Sequence, residues 1–203
     1  MKKAILLILL GTASIQVTVN NNINIGDYTP PQVEVVEEVV IAKPVYTGPY
    51  IQPTFAEKVS RELDNMALNI SPNINSPEAK QLLSGIAKVE SNLKHRVEYG
   101  GGAARGLLQM EELTAYRDAY EYCVNNEKIN SYVNTRFGKG HHFGMIENHD
   151  AYAITMARIY LMRFSDVIPK TTRGQARYWK KRWNTIQGAG TVRKYLMCWN
   201  TFK

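Results

Sequence analysis

Glu90 interrupts an apolar stripe. At helical spacing Leu82, Leu83, Ile86 and Val89 form one face and Leu93 continues it. Glu90 falls four residues after Ile86 and eight after Leu82, where a core side chain would serve stability better. A carboxylate in apolar surroundings either finds a partner or keeps its proton to a higher pH than usual. The second condition is what a general acid working near neutral pH requires. Arg96 and Arg105 are the cations that would supply the first, making Glu90 part of a structural ion pair. Glu98, Glu111 and Glu112 are further acids that can approach from loops or helix starts, where a carboxylate complements exposed amides. Glu111 carries the most weight among them, because a second carboxylate facing Glu90 would favour a hydrolytic outcome.

The elements that must hold this residue are helical. Thr54 with Glu57 reads as a capping box, followed by Val59, Leu63 and Met66 on one face. Ser76 and Pro77 read as the N-cap and first residue of the helix that carries Glu90. After a loop with Gly100, Gly101 and Gly102 comes a helix with Tyr116, Ala119, Tyr120 and Cys123. Residues 125–148 are polar and poorly periodic. The stretch "DAYAITMARIYLMRF" is apolar nearly all round, broken by Arg158 and Arg163, and belongs in the middle of a bundle. Thr172 with Gln175 reads as the cap of a helix whose Ala176, Trp179 and Trp183 share a face, and a short last helix covers residues 192–199. The fold class expected is all-α.

Ahead of these helices the chain has another character. Residues 1–14 carry two lysines, a short apolar run and then small residues, the layout of an export signal peptide, and the run is too short to span a bilayer as a helix. Residues 15–53 hold five of the eight prolines and read as an extended arm or tether, in which residues 33–41 suit an edge strand. Residues 54–203 are then the folded domain. Two cysteines, Cys123 and Cys198, are too few for a disulfide-built scaffold, and a single bridge or two separate thiols both remain open.

The residues around Glu90 carry a resemblance. Glu90-Ser91 closes a helix, a glycine-bearing loop follows, and then comes Gly106-Leu107-Leu108-Gln109. Further on, "RWNTIQGAGTVRKYL" places Trp183-Asn184 before Gly188 and Gly190. In this order the segments resemble the lysozyme-like lytic transglycosylases, related to goose-type lysozymes. The "QMEE" and "YWKKRWNTIQGAGTV" segments are most similar to the phage-associated branch. The resemblance spans residues 55–196. It departs from the family in a glycine run longer by a couple of residues and in Trp183, which stands where the family has tyrosine. A stacking role carries over to Trp183, and a hydroxyl-dependent one does not.

The resemblance implies a lysozyme-like helical domain behind the N-terminal arm, acting on peptidoglycan glycan strands with one carboxylate. Glu90 would be the catalytic residue, with Ser91, Gln109, Trp183 and Asn184 binding substrate, and with no metal and no cofactor. A single glutamate on an apolar face suits a lytic reaction that closes a 1,6-anhydro ring. A hydrolytic muramidase and an inactive lysozyme-like structural protein of a virion or envelope are the alternatives. The amides of Gln109 and Asn184 suit sugar hydroxyls, and aromatic faces such as those of Trp183, Tyr99 and Tyr116 suit the C–H patches of a pyranose. The implied location is the periplasm or cell envelope, or a phage particle, with the arm as an anchor.

Charge adds one more expectation. The formal net charge is +7, and after Asp166 there are nine basic residues and no acid, including the run Lys180, Lys181 and Arg182. Such a segment is either a solvated face or a means of attraction to an anionic polymer, the cell wall before a phosphate backbone. No motif for specific nucleic-acid binding accompanies it. His141, His142, His149 and Asp150 lie close together but lack any compact metal-ligand spacing, and His149-Asp150 reads as a helix start with the aspartate capping amides.

Overall fold

Thr54 does what a capping residue must, accepting a hydrogen bond from the Glu57 amide while the Thr54 amide donates to the Glu57 carboxylate, and helix α1 (Phe55–Asn69) starts there. In this computed structural model the backbone is described for residues 4–10, 13–19, 34–35, 52–185 and 187–201, with side chains from residue 52 onward. The chain divides into two units, Met1–Ile51 and Gln52–Lys203.

In the first unit, strands β1 (Ala4–Leu10) and β2 (Ala13–Val19) pair antiparallel, and β3 (Glu34–Val35) pairs antiparallel with Val17 and Thr18 of β2. The edge strand expected in residues 33–41 thus corresponds to Glu34–Val35. The rest of the arm expected over residues 15–53, apart from β2 and the two residues from Gln52, lies outside the described residues.

The second unit is helical. After α1 come a 3-10 turn (Pro72–Asn75), α2 (Pro77–Ser91), a π-helical turn (Glu112–Tyr116) leading into α3 (Arg117–Val124), α4 (Glu127–Phe137), the single turn α5 (Met145–Asn148), α6 (Asp150–Met162), α7 (Thr172–Arg182) and α8 (Val192–Asn200). Its β pairing among the described residues is confined to isolated bridges of Arg105 with Val97 and Met110. Helix α6 is buried on all sides, as its composition requires, and α1, α2 and α3 pack on it. No helix among the described residues is long and apolar enough to cross a membrane.

Several local expectations are corrected. Helix α4 occupies a stretch that shows no apolar period, because it fully buries only Ile129, Tyr132 and Val133. The cap of α7 is Thr171, which accepts from the Gly174 amide, and Gln175 turns inward to Pro169 O and Gln81. At the start of α6 the capping group is His149, whose Nδ1 accepts from the Tyr152 amide. Asp150 instead pairs with Lys58 and Arg96, both at 2.7 Å. Burial opposes ionisation of Asp150, but the hydrogen bonds from these two cations outweigh it and hold its carboxyl below the usual range. Both cysteines are free thiols, and burial pushes Cys123 up to about 11.

A second carboxylate lies inside the helical unit, on the face of α1 that carries Val59, Leu63 and Met66. Glu62 of α1 is 2 % exposed and accepts from Tyr132 Oη (2.7 Å), Thr155 Oγ1 (2.9 Å) and Arg136 Nη2 (3.1 Å). It ties α1 to α4 and α6 with each oxygen satisfied.

Candidate active site

Helix α2 delivers Glu90 from a fixed base. Ala79, Leu82, Leu83 and Ile86 are fully buried against the core, so the helix cannot rotate without exposing them. At Gly85 helix α8 comes in directly: a Cβ there would overlap the Tyr195 hydroxyl. Tyr195 in turn packs against Trp179 of α7, with ring centroids 5.5 Å apart. Thus α7 and α8 close over the C-terminal end of α2, and the Trp179 indole N–H donates to Glu90 Oε1 at 2.7 Å.

Glu90 itself is partly buried, at the margin of the stripe rather than inside it. Its pKa is raised above the ordinary glutamate value. Burial is the main cause, the indole hydrogen bond and the charge of Lys194 oppose it, and the negative charges of Glu98 and Glu111 add to it. The structural ion pair is not made. Arg96 goes to Asp150 and the Glu147 carbonyl, and Arg105 goes to the Gly102 and Ala104 carbonyls and to Glu147 at 3.6 Å. The contrast with Glu62 is chemical: among the described residues, three donors including a cation surround one carboxylate, and a single neutral donor stands beside the other. A carboxyl in the second situation can hold a proton, release it and take it back.

The loop after α2 is a narrow clasp. Asn92 and Leu93 take left-handed backbone angles, Gly106 N–H donates to Arg96 O, and Arg105 and Met110 exchange backbone hydrogen bonds. Gly106 is required: its φ is +73°, and a Cβ would strike the Ile146 carbonyl. Ser91 is buried, and its Oγ lies 2.7 Å from Leu107 O and 2.9 Å from Ala87 O while accepting from the Leu93 amide. It therefore fastens the end of α2 to the Gly106–Gln109 turn. Gln109, with φ +51°, donates its side-chain amide to Gly106 O (2.7 Å) and His95 O (3.3 Å), bracing the same turn.

The second expected pair divides. Asn184 packs beside Gly188 and Gly190, and its Oδ1 accepts from Lys180 Nζ (2.9 Å), which also reaches Gly188 O (2.7 Å). A Cβ on Gly190 would run into the Trp179 ring, so Asn184, Gly190, Trp179 and Glu90 form one continuous wall. Trp183 sits edge-on to Tyr160, with centroids 5.5 Å apart, at the border of the core. The indole that reaches Glu90 is one helical turn earlier. Periodicity alone makes Trp179 a core residue, and the signal that could have found its second role is its N–H. A tryptophan that is 1 % exposed needs an acceptor, and Glu90 is the acceptor.

The remaining expected groups have other occupations. Tyr99 is fully exposed, whereas Tyr116 is buried and shares a hydrogen bond with Tyr152, whose hydroxyl also meets His141 Nδ1 at 2.9 Å. His142 bonds to Gly140 O. The basic run is largely spent: Lys180 braces the Asn184 turn, and Lys181 and Arg182 both pair with Asp166. Attraction to an anionic polymer would fall to other cations of this segment, such as Arg173, Arg177 and Arg193.

The Trp179 contact makes a direct prediction. In Trp179→Phe the Glu90 carboxylate loses its donor, so its pKa should climb further, read by carbon-detected NMR titration of the Glu90 side chain. An unchanged value would mean the indole does not hold this carboxylate.

No family model matches the chain, no curated protein matches it, and no solved structure matches it.

Proposed function

We propose that the chain cleaves the β-1,4 bond between N-acetylmuramic acid and N-acetylglucosamine in peptidoglycan, with Glu90 as its only catalytic carboxylate, as a lytic transglycosylase of lysozyme-like fold. The observation that carries this reading is the state of Glu90: partly buried, raised in pKa, and held by a neutral indole with no cation in ion-pair contact among the described residues. The order of Glu90-Ser91, Gly106–Gln109 and Trp183-Asn184 along the chain supports the family resemblance.

In the reaction Glu90 gives its proton to the glycosidic oxygen as the bond from that oxygen to the muramic C1 breaks. The carboxylate so formed accepts the proton of the muramic C6 hydroxyl, and O6 bonds to C1, closing the 1,6-anhydro ring. Atoms balance without water, and Glu90 ends protonated as it began. Trp179 keeps the carboxyl aimed, while Ser91 and Gln109 keep the facing turn in register. Asn184 is the side chain on the Trp179 wall suited to a sugar hydroxyl.

Hydrolysis is the second reading, carried by Glu111, whose charge is felt at Glu90. A hydrolase needs its second carboxylate placed to activate water or attack C1. Glu111 is exposed at the start of the π-helical turn, where it accepts from Thr114 Oγ1 at 3.3 Å, and this favours the one-carboxylate scheme. Either reaction requires the chain to meet peptidoglycan, by export through residues 1–14 or as part of a phage particle. Clearance of a suspension of purified cell walls tests the proposal, and intact turbidity with folded protein would count against it.

A further inference from the structure

Away from Glu90, a cavity of about 880 Å³ opens between the start of α2, the end of α6 and the segment joining α6 to α7. Most of its wall is apolar, with Ile74, Leu161, Met162, Phe164 and Ile168 among the lining residues. Two polar residues of the lining have donors left over: Arg158 has no counter-ion among the described residues, and the Tyr178 hydroxyl has no hydrogen-bond partner among them. Arg158, in the middle of buried α6, is 8 % exposed, and its Nε donates to Ile74 O at 3.0 Å. No carboxylate among the described residues pairs with it. Tyr178 is 6 % exposed, and its hydroxyl is buried with no hydrogen-bond partner among the described residues. The two acids of the lining do not supply the missing charge: Asp166 is taken by Lys181 and Arg182, and Glu78 forms no pair with Arg158.

A largely buried guanidinium without a counter-ion is costly, because the charge has lost most of its water and gained no opposite charge in return. Burial accordingly pulls the Arg158 pKa below its ordinary value. Arginine and tyrosine together offer only donors once Tyr178 turns its hydrogen into the site, so the complement is an acceptor group. The fork of a guanidinium matches a carboxylate in two parallel hydrogen bonds. Lys170 lies on the lining as well, but Asp166 and Glu78 add two carboxylates to the same wall, which disfavours the doubly charged phosphate more than a monocarboxylate. The volume is in the range of small-molecule sites, which are concave and mostly apolar with a few convergent polar groups.

We infer that this cavity binds an organic monocarboxylate, its charged end on Arg158 and Tyr178 and its apolar body along Leu161, Met162 and Ile168. The ligand chemistry is shared by a free organic acid and by the C-terminal carboxylate of a short peptide. The site is independent of the Glu90 reading, since it rests on different residues and requires no catalysis.

The proposal is tested by calorimetric titration of the full chain with five compounds. These are hexanoate and its control hexanamide, N-acetyl-alanyl-leucine and its C-terminal amide, and inorganic phosphate. Binding of a carboxylate and not of its amide is expected, with phosphate weak. Preference between hexanoate and the peptide tells which source the cavity takes. Arg158→Gln is expected to weaken the better ligand by about tenfold or more, since glutamine replaces the two charge-assisted hydrogen bonds of the fork with at most one neutral one. Tyr178→Phe should weaken it several-fold and tests the same site should Arg158→Gln not fold. Wall clearance is expected to be unchanged in both variants. The inference is overturned if no carboxylate binds in the millimolar range, if the amides bind equally well, or if a folded variant keeps the wild-type affinity.

Discussion

Glu90→Gln is expected to abolish clearance of purified walls while the protein folds at least as stably as the parent. Glutamine preserves the shape and still accepts the Trp179 indole hydrogen bond, but it can neither give nor take the proton. Loss of a general acid typically costs about 10²- to 10⁴-fold in rate, which would bring turbidity clearance close to background. The stability change follows from the direction of the pKa shift. Glu90 is raised in the folded state, so the folded protein holds its proton where the unfolded chain has released it. Its contribution is intact below the ordinary glutamate value and is lost as pH rises through the raised one. The advantage of glutamine should therefore be absent at about pH 4, near the unperturbed glutamate value, and present at about pH 7. Urea midpoints of the two proteins at both pH values read this directly. A variant that loses stability at neutral pH would mean that Glu90 has an ionic partner it needs.

Glu62→Ala should give the opposite pattern, a large loss of stability. The carboxylate is 2 % exposed and accepts three hydrogen bonds from two other helices. Its removal strands the hydroxyls of Tyr132 and Thr155, unpairs Arg136 and leaves a cavity between α1, α4 and α6. Arg136 is 43 % exposed and can turn to water, so the loss falls on the two buried hydroxyls left without an acceptor, at about 1–3 kcal/mol each, and on the cavity, together a large fraction of the stability of a domain of this size. The urea midpoint should fall steeply. A variant within about 1 kcal/mol of the parent, the size of an ordinary hydrogen-bond loss, would show that the network does not hold these helices together.

These two glutamates also show how far the sequence can be read. Both interrupt an apolar helical face: Glu62 lies three residues after Val59 and next to Leu63, as Glu90 lies next to Val89. Periodicity marks the interruption and is silent on what meets it, because the donors come from helices distant in sequence. Tyr132 is 70 residues from Glu62, and Trp179 is 89 from Glu90. For the same reason sequence cannot tell Trp179 from Trp183, two tryptophans one turn apart. The helices with strong local signals are legible, down to the capping box of Thr54 and Glu57 and the Ser76-Pro77 start of α2. Helix α4 is not, since three buried residues make too short a stripe to stand out in a polar stretch. The cap of α7 lies one residue earlier than expected because Thr171 and Thr172 are chemically equivalent, and only the Gly174 amide chooses between them. Ser91 and Gln109 both border the turn that follows α2, and the Ser91 hydroxyl and the Gln109 side-chain nitrogen bond to its backbone, a use that residue type alone does not reveal.

The most direct measurement of the central claim is the mass of the products released from purified peptidoglycan by the parent chain and by Glu90→Gln. Muropeptides ending in 1,6-anhydro-muramic acid, one water lighter than their hydrolysed counterparts, should appear with the parent and be absent with the variant. Release of such products by a folded Glu90→Gln protein, or no release by the parent, would contradict it.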